Sequence, residues 1–124
     1  MREIKFRVWD KKENRMHKVE GFDFKNEDLF FEGMVEILPI PFSQGEIMQF
    51  TGLKDKNGKE IYEGDIVFCE VKEEEDAEYK GKRIIKWANF GFCVAEKENE
   101  FGLPLNWGGW ESFEVIGNIY ENKF

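Results

Sequence analysis

Met48-Gln49-Phe50-Thr51-Gly52-Leu53-Lys54-Asp55-Lys56-Asn57-Gly58-Lys59-Glu60-Ile61-Tyr62-Glu63-Gly64-Asp65-Ile66-Val67 is the stretch on which the fold turns. Asn57-Gly58 lies between flanks that can pair. Asn-Gly is the strongest short hairpin signal, because both central positions of a type I′ turn need positive φ. Glu63-Gly64-Asp65 reads as a second turn, launching Ile66–Val71, whose Ile, Val, Phe, Cys and Val suit a buried strand. Gly52, Gly58 and Gly64 recur every six residues, each a place for a turn or bulge. Two tight turns in so short a span set the register of the strands around them.

Outward from this stretch the apolar period stays near two, the period of strands. Ile4, Phe6 and Val8 alternate with Lys5, Arg7 and Trp9, so Glu3–Trp9 is expected as a strand. Asp10–Asn14 is expected as a turn, and Met16–Phe24 as the returning strand of an N-terminal hairpin. Residues 25–38 leave two readings open. Leu29, Phe30, Phe31, Met34, Val35, Ile37 and Leu38 fit a short helix, or an aromatic strand followed by a turn at Gly33. Pro39 and Pro41 end any regular element. Ser43–Gly45 reads as loop and Glu46–Phe50 as a short strand. Six acids against Lys72 fill Glu70 to Glu78, so Lys72–Gly81 is expected as a solvated, mobile hairpin loop. Arg83–Ala88 and Phe92–Glu96 read as a further hairpin, Lys97–Trp110 as irregular, and Phe113–Tyr120 as the closing strand. The expectation is one mainly β domain over 1–124. It has an N-terminal hairpin and variable segment over 1–50 and a barrel-like part over 51–124, with a small SH3-like barrel or β-sandwich from about 62–120.

The chain has 124 residues, enough for one domain with its own core. Its 13 Phe, 4 Trp and 3 Tyr point to a core or an interface built from aromatic rings. The net charge of −8 disfavours sequence-independent nucleic-acid binding, which rests on cations meeting phosphates. Residues 1–20 nevertheless carry seven basic groups against four acids, a net +3, which leaves −11 for residues 21–124. That basic segment suits a strand edge kept soluble by Lys and Arg. Its other reading is a patch for an acidic partner, DNA included. The first residues are charged throughout and no apolar run reaches membrane length, so a cytoplasmic protein without membrane contact and with reduced thiols is expected.

Catalytic residue types are sparse. His17 is the single histidine and Cys69 and Cys93 the two cysteines, too few and too far apart for a zinc site. Asp55-Lys56-Asn57-Gly58 places its Gly two positions early for an EF-hand calcium loop. His17 sits on a charged hairpin without a nucleophile beside it, and both cysteines lie inside apolar runs, where inert buried thiols are expected. No phosphate-binding glycine motif occurs. Neither a catalytic residue nor a metal or other cofactor is therefore expected. A small hydrolase with an unrecognised carboxylate pair is the residual enzymatic reading. Asn106-Trp107-Gly108-Gly109-Trp110-Glu111 is a candidate for recognition: Trp107 and Trp110 either contact a partner or fold back over the end of the barrel.

The stretch quoted first resembles the signature of the YopX family. Met1-Arg2-Glu3-Ile4-Lys5-Phe6-Arg7-Val8-Trp9-Asp10 resembles that family's beginning, and Phe113-Glu114-Val115-Ile116-Gly117-Asn118-Ile119-Tyr120-Glu121-Asn122 its end. The resemblance implies a protein encoded by a bacteriophage or prophage, of unestablished molecular function, that forms homo-oligomers. It supplies no catalytic residues. The signature reads either as a folding device or as a surface around Asp55, Asn57 and Glu60 that a partner recognises. The functional expectation is a non-enzymatic, self-associating, protein-binding accessory protein. The alternative is an acidic DNA mimic that binds a host nucleic-acid-binding protein through its negative charge.

Overall fold

The computed structural model describes residues 3–31, 39–88, 91–97 and 102–122. Contacts gather into two units, Met1–Phe50 and Thr51–Phe124.

In the first unit, β1 (Phe6–Asp10), β2 (Arg15–Asp23), β3 (Asp28–Phe31), β4 (Ile40–Pro41) and the first part of β5 (Gly45–Lys54) lie in the order β4-β3-β2-β1-β5. The pairings of β1 with β2 and β5, of β2 with β3 and of β3 with β4 are antiparallel. The two hairpin loops are built alike. The Asp10 carboxylate accepts the N–H groups of Lys12 and Glu13 at 3.0 and 3.3 Å, and Asn14 closes the loop with φ 54°. The Asp23 carboxylate accepts those of Lys25 and Asn26 at 3.1 and 3.2 Å, and Glu27 closes with φ 56°. A short carboxylate side chain satisfies the donors that such a turn leaves unpaired. Leu29 and Phe31 are buried while Phe30 between them is exposed, a period of two that makes Asp28–Phe31 a strand and rules out a helix there. Residues 32–38, where the helical reading also fell, lie outside the described residues. Val8, Leu29, Phe31 and Ile40 form the core, with Val19, Phe22 and Phe42 packed on it. Ser43, read as loop, lies in a 3-10 turn, Phe42–Gln44.

β5 continues into the second unit, where β6 (Glu60–Tyr62) pairs with it. The unit's main sheet contains β7 (Asp65–Val71), β8 (Gly81–Ala88), β9 (Gly91–Ala95), β10 (Leu103–Pro104) and β11 (Trp110–Asn118) in the order β10-β9-β8-β7-β11, all antiparallel. Its core is Ile61, Val67, Cys69, Ile85, Val94, Leu105 and Trp110, flanked by half-buried Val71, Tyr79, Phe92, Leu103, Trp107, Phe113 and Val115.

The chain is mainly β, as the alternation predicts, but its two antiparallel sheets do not close into a barrel. Closure needs a last strand long enough to carry a ladder back to the first. Here one edge of the main sheet is the two-residue β10, in which Pro104 has no N–H to donate. The acidic run is more ordered than a plain loop. Glu74–Tyr79 forms a 3-10 helix, anchored where Tyr79 packs edge-on against Trp107 at 5.4 Å.

Candidate functional site

Asp55 holds the turn of the signature stretch together. Its Oδ1 accepts the N–H groups of Asn57 and Lys59, each at 2.9 Å. The Gly58 N–H donates to Asp55 O at 3.0 Å, and the Asp55 N–H donates to Lys59 O at 2.7 Å. Only Gly58 takes a left-handed φ, +84°; Asn57 does not, so the turn is not the type I′ turn the Asn-Gly pair predicts. The carboxylate gathers donors as far as Lys59 and lengthens the loop, leaving one left-handed position for the residue that tolerates it best. Gly52 and Gly64 also have positive φ, 89° and 82°.

The same side chain reaches across the sequence. Asp55 Oδ2 accepts the N–H of Val115 at 2.9 Å, sixty positions away. Beside it the Lys56 N–H donates to Phe113 O at 2.9 Å, and Lys56 Nζ lies 3.2 Å from the Glu114 carboxylate. Burial opposes the charge on Asp55, but the N–H groups of Val115, Lys59 and Asn57 outweigh it and hold the carboxyl below the ordinary carboxylate range. Asp55 is therefore buried within the unit. Asn57 is exposed at the tip, and half-buried Glu60 accepts a long 3.4 Å hydrogen bond from the Tyr62 hydroxyl. The three polar candidates of the signature thus occupy three different environments.

Asn118 repeats the staple at the end of β11. Its Oδ1 accepts the N–H groups of Tyr120 and Glu121 at 3.0 and 2.9 Å. Asp65 Oδ2 accepts the Tyr62 N–H at 2.8 Å in the second signature turn. Asp10, Thr51, Asp55, Asp65 and Asn118 are the buried polar residues of the described chain, and each bonds backbone groups of a turn or strand. Sequence reasoning passed over Asp10, Asp23 and Asn118. The available signal was an Asp or Asn at the last strand position before a polar loop.

The tryptophan loop folds back onto the core. Trp110 is buried, and its Nε1–H donates to Pro104 O at 3.1 Å. Half-buried Trp107 stands edge-on to Trp110 at 4.9 Å. The more accessible tryptophan is one the sequence did not single out. Trp87 on β8 is 52% exposed and rests edge-on against Phe92 at 4.8 Å.

The two cysteines lie in the core and the histidine lies against an aromatic ring. Cys69 and Cys93 are buried and unpaired, and burial pushes the Cys69 thiol up to about 12. His17 lies flat on the Phe31 ring at 4.0 Å. Among the described residues no three His, Cys, Asp or Glu side chains come together as a metal site.

These features define a small two-unit β protein whose buried polar side chains serve its turns. The YopX protein family model matches residues 5–123, so the chain belongs to the YopX family. The crystal structure of protein EF1440 from Enterococcus faecalis is similar, with a TM-score of 0.62 and 28% identity, covering 98% of this chain and 96% of that one. No curated protein matches the chain.

Proposed function

We propose that this chain is a non-enzymatic, phage- or prophage-encoded accessory protein of the bacterial cytoplasm that self-associates and binds other proteins through aromatic side chains. Trp87 carries the reading. A tryptophan 52% exposed, with its back supported by Phe92, offers area and an N–H donor at little cost in side-chain freedom. Half-buried Phe92 itself packs on the core of this unit, as do Trp107 and Tyr79. The reading is tested by sedimentation velocity from micromolar to sub-millimolar concentration. The wild type should associate, and Trp87→Ala should shift it to monomer while leaving its unfolding midpoint nearly unchanged. A wild type that stays monomeric throughout would sink the proposal.

A second reading rests on the acidic segment. Glu73, Glu74, Glu75 and Glu78 are exposed beside half-buried Asp76, on and next to a short 3-10 helix. An ordered negative surface suits an acidic mimic that engages a host nucleic-acid-binding protein. Neutralising Glu73, Glu74, Glu75 and Asp76 together should then abolish salt-sensitive capture of basic host proteins; unchanged capture would remove this reading.

A further inference from the structure

We infer that the turn around Asp55 guards the free edge of β11, occupying the positions at which a strand from a second copy of this chain would add. β11 has nine residues and is the long edge of its sheet, opposite the two-residue, proline-containing β10. A long edge offers a row of unused N–H and C=O groups and is a template for pairing with another chain. Phe113, Val115 and Ile116 give this edge strong strand propensity, and Ile116 is 47% exposed.

On the side of β11 away from β7, an incoming antiparallel strand opposite Glu114 would donate an N–H to Phe113 O and accept the Val115 N–H. Both places are taken. The Lys56 N–H supplies the donor at 2.9 Å, and the Asp55 carboxylate stands in for the carbonyl at 2.9 Å. The Lys56 ammonium also engages the Glu114 side chain between them, at 3.2 Å. One turn thus imitates a strand's hydrogen bonding across this part of the edge without offering a further edge of its own length.

Asp55→Ala removes the acceptor for Val115 and loosens the turn. The variant should keep a native β circular-dichroism spectrum and form assemblies that grow with concentration, as read by sedimentation velocity. Adding Trp87→Ala should not suppress them, which separates edge addition from association through the aromatic face. Asp55→Asn, left with one oxygen for donors that two oxygens now serve, should assemble less than Asp55→Ala and more than the wild type. An Asp55→Ala protein that folds and sediments like the wild type would overturn the inference. Should that variant fail to fold, the wild type decides by amide hydrogen exchange. A guarded edge slows the Val115 N–H on the order of tenfold or more relative to a free amide. Exchange of Val115 at the free-amide rate overturns the guard.

Discussion

An aspartate whose oxygens accept two or three backbone N–H groups stabilises a turn as a carboxylate and loses that role when protonated. Asp55 is one case. Asp10 is another: burial opposes its charge, but the Gln44 amide and the N–H groups of Glu13 and Lys12 outweigh it and lower its pKa. Their folded values lie below the ordinary value of 3.8, so the stability they contribute is fully present above that value. It disappears as the pH falls through the lower folded values. Urea midpoints taken from neutral pH into the acid range should hold steady and then drop. Asp10→Asn and Asp55→Asn should each lower the neutral midpoint and flatten the acid drop; an undiminished drop in both would show that other groups cause it. Cys69 makes a separate prediction. With the thiol pushed to about 12, roughly one molecule in ten thousand carries the thiolate at pH 8. An aromatic disulfide reagent should leave Cys69 untouched in the native protein and modify it in denaturant. Rapid native modification would contradict the burial. The burial of this thiol was legible from its apolar neighbours Val67 and Phe68. The stapling carboxylates were legible only as an Asp at the last strand position before a polar loop; which N–H groups Asp10 and Asp23 accept was not.

The strands themselves were the most legible elements. Ile4-Lys5-Phe6-Arg7-Val8 announces β1, and the glycines of the signature fall at positive-φ positions as its turn reading requires. What sequence reasoning could not supply was the length of the Gly58 loop, since that depends on which N–H groups Asp55 captures. It also did not anticipate β10. Residues 103–104 pair with β9 because Gly102 brings the chain against the β9 backbone. A Cβ built on Gly102 would lie 1.5 Å from Val94 O, a position that no side chain can occupy. Gly102→Ala must therefore push the chain away from β9, with the loss of the Leu103 and Leu105 packing. It should cost about 1–3 kcal/mol, as overpacking commonly does. A chemical-denaturation midpoint followed by tryptophan fluorescence checks this, because Trp107 and Trp110 lie next to the affected segment. A midpoint equal to the wild type would mean that the close approach is relieved without loss.

At the scale of the molecule, two long-range facts decided what the sequence left open. Whether the strands beyond residue 62 close into a barrel depends on which edges meet, and β11 meets a turn sixty positions away instead. Recognition residues were hard to place for a related reason. Trp107 and Trp110 stand out in the sequence beside paired glycines, yet Trp110 is core; Trp87, inside an ordinary strand, keeps the more open ring. Net charge bears on association as well. Two copies, each with a formal charge of −8, repel one another at low ionic strength. Association through apolar rings should therefore strengthen as sodium chloride is added, whereas capture of a basic host partner should weaken. Sedimentation at low and high salt distinguishes them, and self-association that dissolves in salt would point to charged contacts in place of the aromatic face.

The hydrogen bond from the Gly58 N–H to Asp55 O also governs how this chain ages. Asn-Gly pairs lose ammonia when the glycine nitrogen, stripped of its proton, attacks the asparagine side-chain carbonyl and closes a succinimide, which water opens to aspartate or isoaspartate. In the native turn that nitrogen keeps its proton engaged with a carbonyl, and the residue before it is fixed through its own N–H to the Asp55 carboxylate at 2.9 Å. Asn57, exposed as it is, should survive prolonged incubation in the folded protein. Peptide mapping should find isoaspartate at that position accumulating much faster in protein held in urea, making deamidation a chemical clock that runs while the turn is open.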